Sequence, residues 1–169
     1  MKDISFLYNS IIAHRGIYDN KKIFENSIQS FKKALRYNIP IELDIHLLKD
    51  NTIIVFHDKN LKRITGVNKR INSCTYKEVR KIFFNNTEFI PPTLEEVLKL
   101  VNGKIFLDIE IKNDGNYKKT CKELTKLLDV YQGNFVVNSF YPQYIHWFYK
   151  NRPKYIRGIL LYDKIYKIS

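Results

Sequence analysis

Apolar and polar residues alternate along residues 40–48, which read Pro-Ile-Glu-Leu-Asp-Ile-His-Leu-Leu. A period of two is typical of a β-strand, whose successive side chains point to opposite faces. One face of this predicted strand is wholly apolar and carries Ile41, Leu43, Ile45 and Leu47. The other face is polar and carries Glu42, Asp44 and His46. The pattern therefore predicts a strand that is packed from behind and has two carboxylates and an imidazole on its front.

The other apolar runs predict an alternation of strands and helices along the rest of the chain. Short runs rich in apolar, β-branched and aromatic residues predict strands at residues 10–13, 52–56, 104–112, 135–140 and 155–162. Apolar residues at helical spacing predict helices after three capping residues, Asn26, Thr75 and Thr93. The same spacing predicts two more helices, at residues 117–132 and 142–150.

This order of strands and helices is the one expected for parallel βα units with right-handed crossovers. Polar residues cluster where the predicted strands end, at His14-Arg15, Glu42-Asp44, His57-Asp58, Glu110-Lys112 and Asn138-Ser139. Barrels and open α/β sheets build their active sites at these carboxyl ends. The sequence contains no glycine-rich dinucleotide turn and no P-loop, so we expect no nucleotide-binding cradle.

The composition indicates one globular domain over residues 1–169, with 44% hydrophobic and 14% aromatic residues. Its 29 basic and 17 acidic side chains give a net charge of +12, which would suit an anionic partner. Because the lysines are spread along the chain and no nucleic-acid recognition motif stands out, we expect a small anionic substrate and no nucleic acid.

Cysteine content and hydropathy indicate the compartment. Cys74 and Cys121 are far apart in sequence and do not make a disulfide framework or a metal knuckle. No apolar run reaches the roughly 18 residues that a membrane span needs, and we expect no signal peptide, because the N-terminal residues form no long apolar segment. We therefore expect a cytoplasmic protein without a membrane span.

Three carboxylates on two predicted strands suit a hard divalent cation, either Mg²⁺ or Ca²⁺. These are Glu42, Asp44 and Glu110. Considered alone, the strand at residues 40–48 fits equally well as a solvent-facing edge strand with ordinary charges. The neighbouring polar residues His46, Asp58 and Asp108 are interpreted as structural or supporting side chains.

Two histidines and two cationic side chains stand at other strand ends. His14 and His57 suit a general acid and a general base. Arg15 and Lys112 suit an anionic phosphoryl group. A cation site, two imidazoles and two positive side chains together indicate phosphodiester cleavage.

These residues also follow a recognisable series of motifs. In order, they are His14-Arg15-Gly16, Glu25-Asn26-Ser27, Glu42-Leu43-Asp44, His57-Asp58, the stretch at residues 90–98, and Glu110-Ile111-Lys112. The series resembles that of the glycerophosphodiester phosphodiesterases, in order and in spacing, from about residue 11 to residue 159. The combination carries the resemblance, because a single His-Arg or His-Asp pair is common.

The resemblance implies a TIM-type barrel that hydrolyses glycerophosphodiesters to glycerol 3-phosphate and an alcohol. It implies that Glu42, Asp44 and Glu110 bind the cation and that His14 and His57 exchange the proton, with either histidine as the acid. Arg15 and Lys112 would then neutralise the phosphoryl oxygens. Glu25 is expected to support the metal site, and Ser139 to line the pocket.

The chain is short for a complete barrel of this type. About six of eight βα units are expected here, whereas such barrels usually need about 200 residues or more. An incomplete barrel has open sheet edges, so self-association that covers them is expected. Two alternatives to the active phosphodiesterase stay open: a truncated, inactive homologue, and a phospholipase D-like enzyme that uses the same metal site.

Overall fold

The structure of the chain is a computed structural model that describes residues 11–87 and 89–161. Its strands are β1 (Ala13–His14), β2 (Ile41–Leu47), β3 (Ile53–Val55), β4 (Leu107–Ile111), β5 (Phe135–Ser139) and β6 (Ile156–Ile159). Its helices are α1 (Ile28–Arg36), α2 (Lys62–Thr65), α3 (Tyr76–Asn86), α4 (Leu94–Val101), α5 (Tyr117–Leu128) and α6 (Pro142–Asn151). The predicted strand positions at Ser10 and Tyr162 lie outside the described residues.

All six strands form one sheet in which five run parallel, in the order β1-β2-β4-β5-β6. The predicted α/β class with a parallel sheet is confirmed. The expectation that every strand belongs to a parallel βα unit is wrong for β3, which pairs antiparallel with β2. Residues 48–52 are too few for the crossover of a dozen or more residues that a parallel pair requires, so the chain forms a hairpin.

The register between neighbouring strands sets the polar residues side by side. Glu42 pairs with His14 of β1 and with Asp108 of β4. Asp44 pairs with Glu110, which in turn pairs with Asn138 of β5. Since side chains alternate between the faces of a strand, these residues all point to the same face of the sheet.

The opposite face of the sheet carries the main hydrophobic core. Ile41, Leu43 and Ile45 of β2 are fully buried there, and helices α1, α4 and α5 pack against them with a row of buried apolar residues. In α3, Phe83 is fully buried in a second cluster beneath β3. None of the helices within residues 11–87 and 89–161 has the length and apolar character to cross a membrane.

Two of the three predicted helix caps are confirmed. Thr75 and Thr93 each accept a hydrogen bond from the backbone N–H three residues on, in capping boxes completed by glutamates. The cap predicted at Asn26 is wrong, because Ser27 caps α1. Asn26 instead adopts a left-handed backbone with φ of 52°. This conformation, which asparagine tolerates better than most residues, frees its side chain for another contact.

Candidate active site

The three carboxylates predicted to bind a cation lie together on the polar face of the sheet. Glu42, Asp44 and Glu110 each offer an oxygen, and these atoms all lie within 4.8 Å of one another. Asp44 is fully buried and Glu110 is 8% exposed. Because β2 lies between β4 on one side and β1 and β3 on the other, the alternative of a solvent-facing edge strand is wrong.

Crowding of negative charge shows in the protonation of this cluster. Burial, together with the charge of Asp44, raises the pKa of Glu42 to about 8. Burial also acts to raise the pKa of Asp44, but the Lys112 ammonium holds it below its ordinary value. A hard divalent cation would remove this repulsion, since it prefers carboxylate oxygens.

One atom of the cluster is open to a further ligand. Asp44 Oδ1 is buried and lies 2.7 Å from Lys112 Nζ, and no other residue that the structure describes donates a hydrogen bond to it. A buried oxygen with unused acceptor capacity fits coordination to a cation. The residues present therefore fit the cation that the sequence predicts, and the cluster could bind a metal ion.

Arg15 and Lys112, the predicted phosphate-binding residues, border these carboxylates. Lys112 Nζ also lies 2.5 Å from Glu110 Oε1. Arg15 Nε lies 3.3 Å from Asp44 Oδ2, and Arg15 Nη1 lies 3.2 Å from Glu25 Oε2. The two cations therefore approach the cluster from two sides, where an anion bound beside it would meet both.

A chain of ion pairs continues from Glu25 to His57. Glu25 also pairs with Arg63, whose Nε lies 2.6 Å from Asp58 Oδ2. Asp58 Oδ1 lies 2.7 Å from His57 Nδ1. Burial acts to raise the pKa of Asp58, but the hydrogen bonds from Arg63 and His57 hold it below its ordinary value. Asp58 therefore stays ionised and fixes the orientation of the His57 ring.

Both predicted catalytic histidines line one cavity of about 1130 Å³. Arg15, Glu110 and Lys112 line it as well. His14 stands at the end of β1, where burial and the adjacent Arg15 lower its pKa. The Nδ1 atom of His57 faces a carboxylate, which only accepts hydrogen bonds, so Nδ1 carries a hydrogen and Nε2 is left for proton transfer.

His46 supports the site from beneath. It is fully buried, and its Nδ1 lies 2.7 Å from Asp114 Oδ1. Its Nε2 lies 3.2 Å from the backbone carbonyl oxygen of His57. Asp114 Oδ2 also accepts a hydrogen bond from the Leu47 backbone N–H at 2.8 Å. The Asp114 and His46 pair thus connects β2 and the loop after β4 to the backbone of His57.

Ser139 does not line the cavity as expected. It is fully buried, and its hydroxyl donates to the Ile111 carbonyl oxygen at 2.7 Å. Its oxygen also accepts a hydrogen bond from the Tyr141 backbone N–H at 3.2 Å. Ser139 therefore joins β4 to the turn after β5, while Phe140 and Tyr141 line the cavity in its place.

A family model described as the glycerophosphoryl diester phosphodiesterase family matches residues 14–153. The chain belongs to this family. The matched range contains the three clustered carboxylates, both cavity-lining histidines and the chain of ion pairs from Glu25 to His57.

Individual relatives in the family agree with this match. The chain is 31% identical to a glycerophosphodiester phosphodiesterase of Bacillus altitudinis over 93% of its own length and 68% of that protein. It is 33% identical to the human lysophospholipase D GDPD1 over 68% of its own length and 40% of that protein. It thus spans about two thirds or less of the length of these curated relatives.

Solved structures of the family share the fold. The glycerophosphodiester phosphodiesterase of Thermotoga maritima matches with a TM-score of 0.75 and 26% identity, over 93% of this chain and 64% of that one. The enzyme of Parabacteroides distasonis matches with a TM-score of 0.76 and 27% identity, over 89% and 64%. These neighbours are barrels of the predicted type, of which the present sheet forms a part.

Three side chains that contribute contacts to this site were not predicted from the sequence. Asn26, expected to cap a helix, donates from Nδ2 to Asp44 Oδ2 at 2.8 Å. Arg63 lies in a long polar connection with no periodic pattern, and Asp114 lies in an Asn-Asp-Gly stretch typical of a turn. Only Asn26 had a signal, since it stands within the Glu25-Asn26-Ser27 motif.

Replacing Asp114 by Asn should lower kcat about tenfold, in line with the loss of other supporting partners of catalytic groups. The reason is that the His46 ring loses a carboxylate partner, which loosens the backbone of His57 while the cation cluster stays intact. Steady-state kinetics and cation titration would measure this. KM and cation affinity should stay unchanged. Asp129→Asn, at the exposed C-terminal end of α5, is the matched control and should keep the wild-type kcat. An unchanged kcat would show that the pair does not position His57.

Asp108 gives a pH-dependent prediction about stability. It accepts a hydrogen bond from Asn138, but burial raises its pKa to about 6. A carboxyl whose folded pKa exceeds its unfolded value costs stability as pH rises from about 4 through 6. Asp108→Asn should therefore be more stable than the wild type by about 3 kcal/mol at pH 8 and equally stable near pH 3. Urea unfolding in chelator at pH 3 and at pH 8 would test this. The same stability difference between the variant and the wild type at both pH values would contradict it.

Proposed function

We propose that this chain forms the active site of a phosphodiesterase that hydrolyses glycerophosphodiesters to glycerol 3-phosphate and an alcohol. The observation that carries the proposal is a single cavity lined by His14, His57, Arg15 and Lys112 beside a cluster of carboxylates. The family membership and the activity named for the Bacillus altitudinis relative support it.

The proposed cofactor is one divalent cation, Mg²⁺ or Ca²⁺, held by Glu42, Asp44 and Glu110. When bound, it supplies a positive charge that polarises a phosphoryl oxygen. Asn26 and Arg15 hold Asp44 in place through its Oδ2 atom. The cluster is thereby preorganised before a substrate enters.

The two histidines take different parts in proton transfer. His14 has a lowered pKa and is therefore neutral at physiological pH, which suits the group that removes a proton from the attacking oxygen. His57 has its Nδ1 held by the ionised Asp58, which stabilises the imidazolium that donates from Nε2 to the leaving alcohol. The proposal therefore takes His14 as the base and His57 as the acid.

Arg15 and Lys112 stabilise the phosphoryl group. Both cations are partly buried, with side chains 16% and 14% exposed, so their charges are weakly screened by solvent. Burial acts to lower the pKa of Lys112, but Asp44 and Glu110 hold it above its ordinary value, so the ammonium stays charged. The phosphoryl oxygens therefore meet permanent positive charge.

The lysophospholipase D activity named for the human relative is the second candidate. A lipase of this kind should present an apolar surface beside its cavity. The apolar run at residues 82–84 does not provide such a surface, because Phe83 is fully buried in α3. The cavity lining includes five basic side chains, Arg15, Lys59, Lys62, Arg63 and Lys112. A water-soluble diester therefore fits this lining better than a lysophospholipid.

Phosphorus NMR of the products tests the proposal. The purified chain, incubated with glycerophosphocholine and Mg²⁺ or Ca²⁺, should give glycerol 3-phosphate and no choline phosphate. Lysophosphatidylcholine in a parallel reaction distinguishes the second candidate by release of lysophosphatidic acid. Choline phosphate as the product would overturn the proposed bond cleavage, and no product from any diester would identify an inactive homologue.

A further inference from the structure

Two lysines on the cavity wall lie apart from the ion-pair chain of the site. Lys59 and Lys62 follow His57 in sequence and line the same cavity. Arg63 beside them is paired with Glu25 and Asp58, whereas no ion pair within residues 11–87 and 89–161 includes either lysine. Lys59 Nζ lies 5.7 Å from the centroid of the Tyr141 ring, so it reaches from the β3–α2 connection to the loop after β5.

A second cavity adjoins the first and shares Lys59 and Asn113 with it. It measures about 240 Å³, and Arg70 also lines it. Arg70 likewise belongs to none of the ion pairs found in the described part of the chain. The carboxylate in this lining is Asp114, whose two oxygens are bound to His46 and to the Leu47 backbone.

The distribution of charge around the two cavities is therefore uneven. Near the carboxylate cluster, Arg15 and Lys112 each have carboxylate partners within 3.3 Å. Farther from the cluster, at the outer wall of the cavities, Lys59, Lys62 and Arg70 have no carboxylate partner among the residues that the structure describes. The single negative charge of a phosphodiester is met by Arg15 and Lys112, so the outer cations are free to attract a second one.

We propose that the two adjoining cavities select glycerophosphodiesters whose leaving alcohol bears a further negative group, a carboxylate or a phosphate. Lys59, Lys62 and Arg70 are the residues that determine this specificity. The same wall disfavours a cationic alcohol such as choline, so glycerophosphocholine should be cleaved more slowly than an anionic diester. For the reaction, the inference rests on the proposed function, whereas the binding preference can be measured without turnover.

Matched substrate pairs test the selection and separate the two anionic groups. In the first pair, glycerophosphoinositol is compared with glycerophosphoinositol 4-phosphate, whose leaving alcohol carries a phosphate. In the second pair, the diester of glycerol 3-phosphate with ethylene glycol is compared with its diester with glycolic acid, whose leaving alcohol carries a carboxylate. The wild type should have a kcat/KM about tenfold higher for the anionic member of a pair, from two or more exposed charge pairs. The preference should shrink as salt is added, because exposed charges are screened. An advantage in one pair only would identify the group selected.

Substitution of the lysines tests which residues act. The double variant Lys59→Gln and Lys62→Gln should reduce the preference to about twofold, and it should change kcat/KM for the neutral members less than about twofold. Lys32→Gln, an exposed lysine on α1, is the matched control and should keep the preference. An equal fall for neutral and anionic substrates, or equal kcat/KM in the wild type, would overturn the inference.

Calorimetry keeps the inference testable if the chain proves inactive. The wild type should bind glycerophosphoinositol 4-phosphate about fivefold more tightly than glycerophosphoinositol, and the double lysine variant should reduce this difference to about twofold or less. Tighter binding without turnover would reject the proposed function and retain the anionic selection. Equal affinity of the wild type for both ligands would reject the selection whether or not turnover occurs.

Discussion

Replacing Glu42 by Gln should abolish cation-dependent turnover and also make the cation-free chain more stable at alkaline pH. Both effects arise because the folded sheet forces Glu42 against Asp44 and Glu110, whose oxygens share one small site. Loss of a ligand should weaken cation binding by at least about 100-fold, since even supporting residues around metal sites cost 10- to 100-fold. Glutamine keeps the oxygen that accepts the Arg15 backbone N–H, so the fold is retained.

The stability effect has a defined dependence on pH. The pKa of Glu42 is raised to about 8, so the wild type loses stability relative to Glu42→Gln as pH rises from about 4 through 8. Near pH 3 the two proteins should unfold at the same urea concentration. Glu95→Gln, at an exposed position on α4, is the matched control: it should keep the cation dependence and should not become more stable than the wild type at alkaline pH. Retained cation dependence in Glu42→Gln would show that the cluster does not hold the cation.

Removal of either cavity histidine should have the second large effect. His14→Ala and His57→Ala should each lower kcat by about 10²- to 10⁴-fold, the usual contribution of a positioned acid or base. Cation affinity should be nearly unchanged, because neither histidine belongs to the carboxylate cluster. The double variant should be little worse than either single variant, since the base and the acid act as a unit in the same reaction.

His146 provides the matched control for these variants. It lies on the exposed side of α6, where its ring stacks against Tyr149. His146→Ala should leave kcat and cation affinity at wild-type values. If His14→Ala or His57→Ala kept full activity under saturating cation, the corresponding histidine would have no part in proton transfer.

The alternating patterns of residues 40–48 and 104–112, taken together, predict how the carboxylate cluster is assembled. Once residues 40–48 and 104–112 were recognised as strands, the side-chain period placed Glu42, Asp44 and Glu110 on polar faces. Parallel pairing then brought them together in register. Position on a strand is a local property, and so it can be inferred from sequence.

Contacts made by loops were not predictable in the same way. Arg63 pairs with Glu25, which lies 38 residues before it, and with Asp58, which lies 5 residues before it. It stands in a connection without any periodic pattern. Asp114 reaches His46 from a turn 68 residues away. The antiparallel β3 was missed because strand pattern alone does not give direction, although the short connection at residues 48–52 was visible. Long-range pairing and strand direction thus depend on tertiary structure.

The most direct measurement is release of glycerol 3-phosphate by the chelator-treated chain before and after a cation is added back. The wild type should be inactive in chelator and recover activity with Mg²⁺ or Ca²⁺, whereas Glu42→Gln should stay inactive under both conditions. Equal activity of the wild type with and without the cation would contradict the proposed role of Glu42, Asp44 and Glu110.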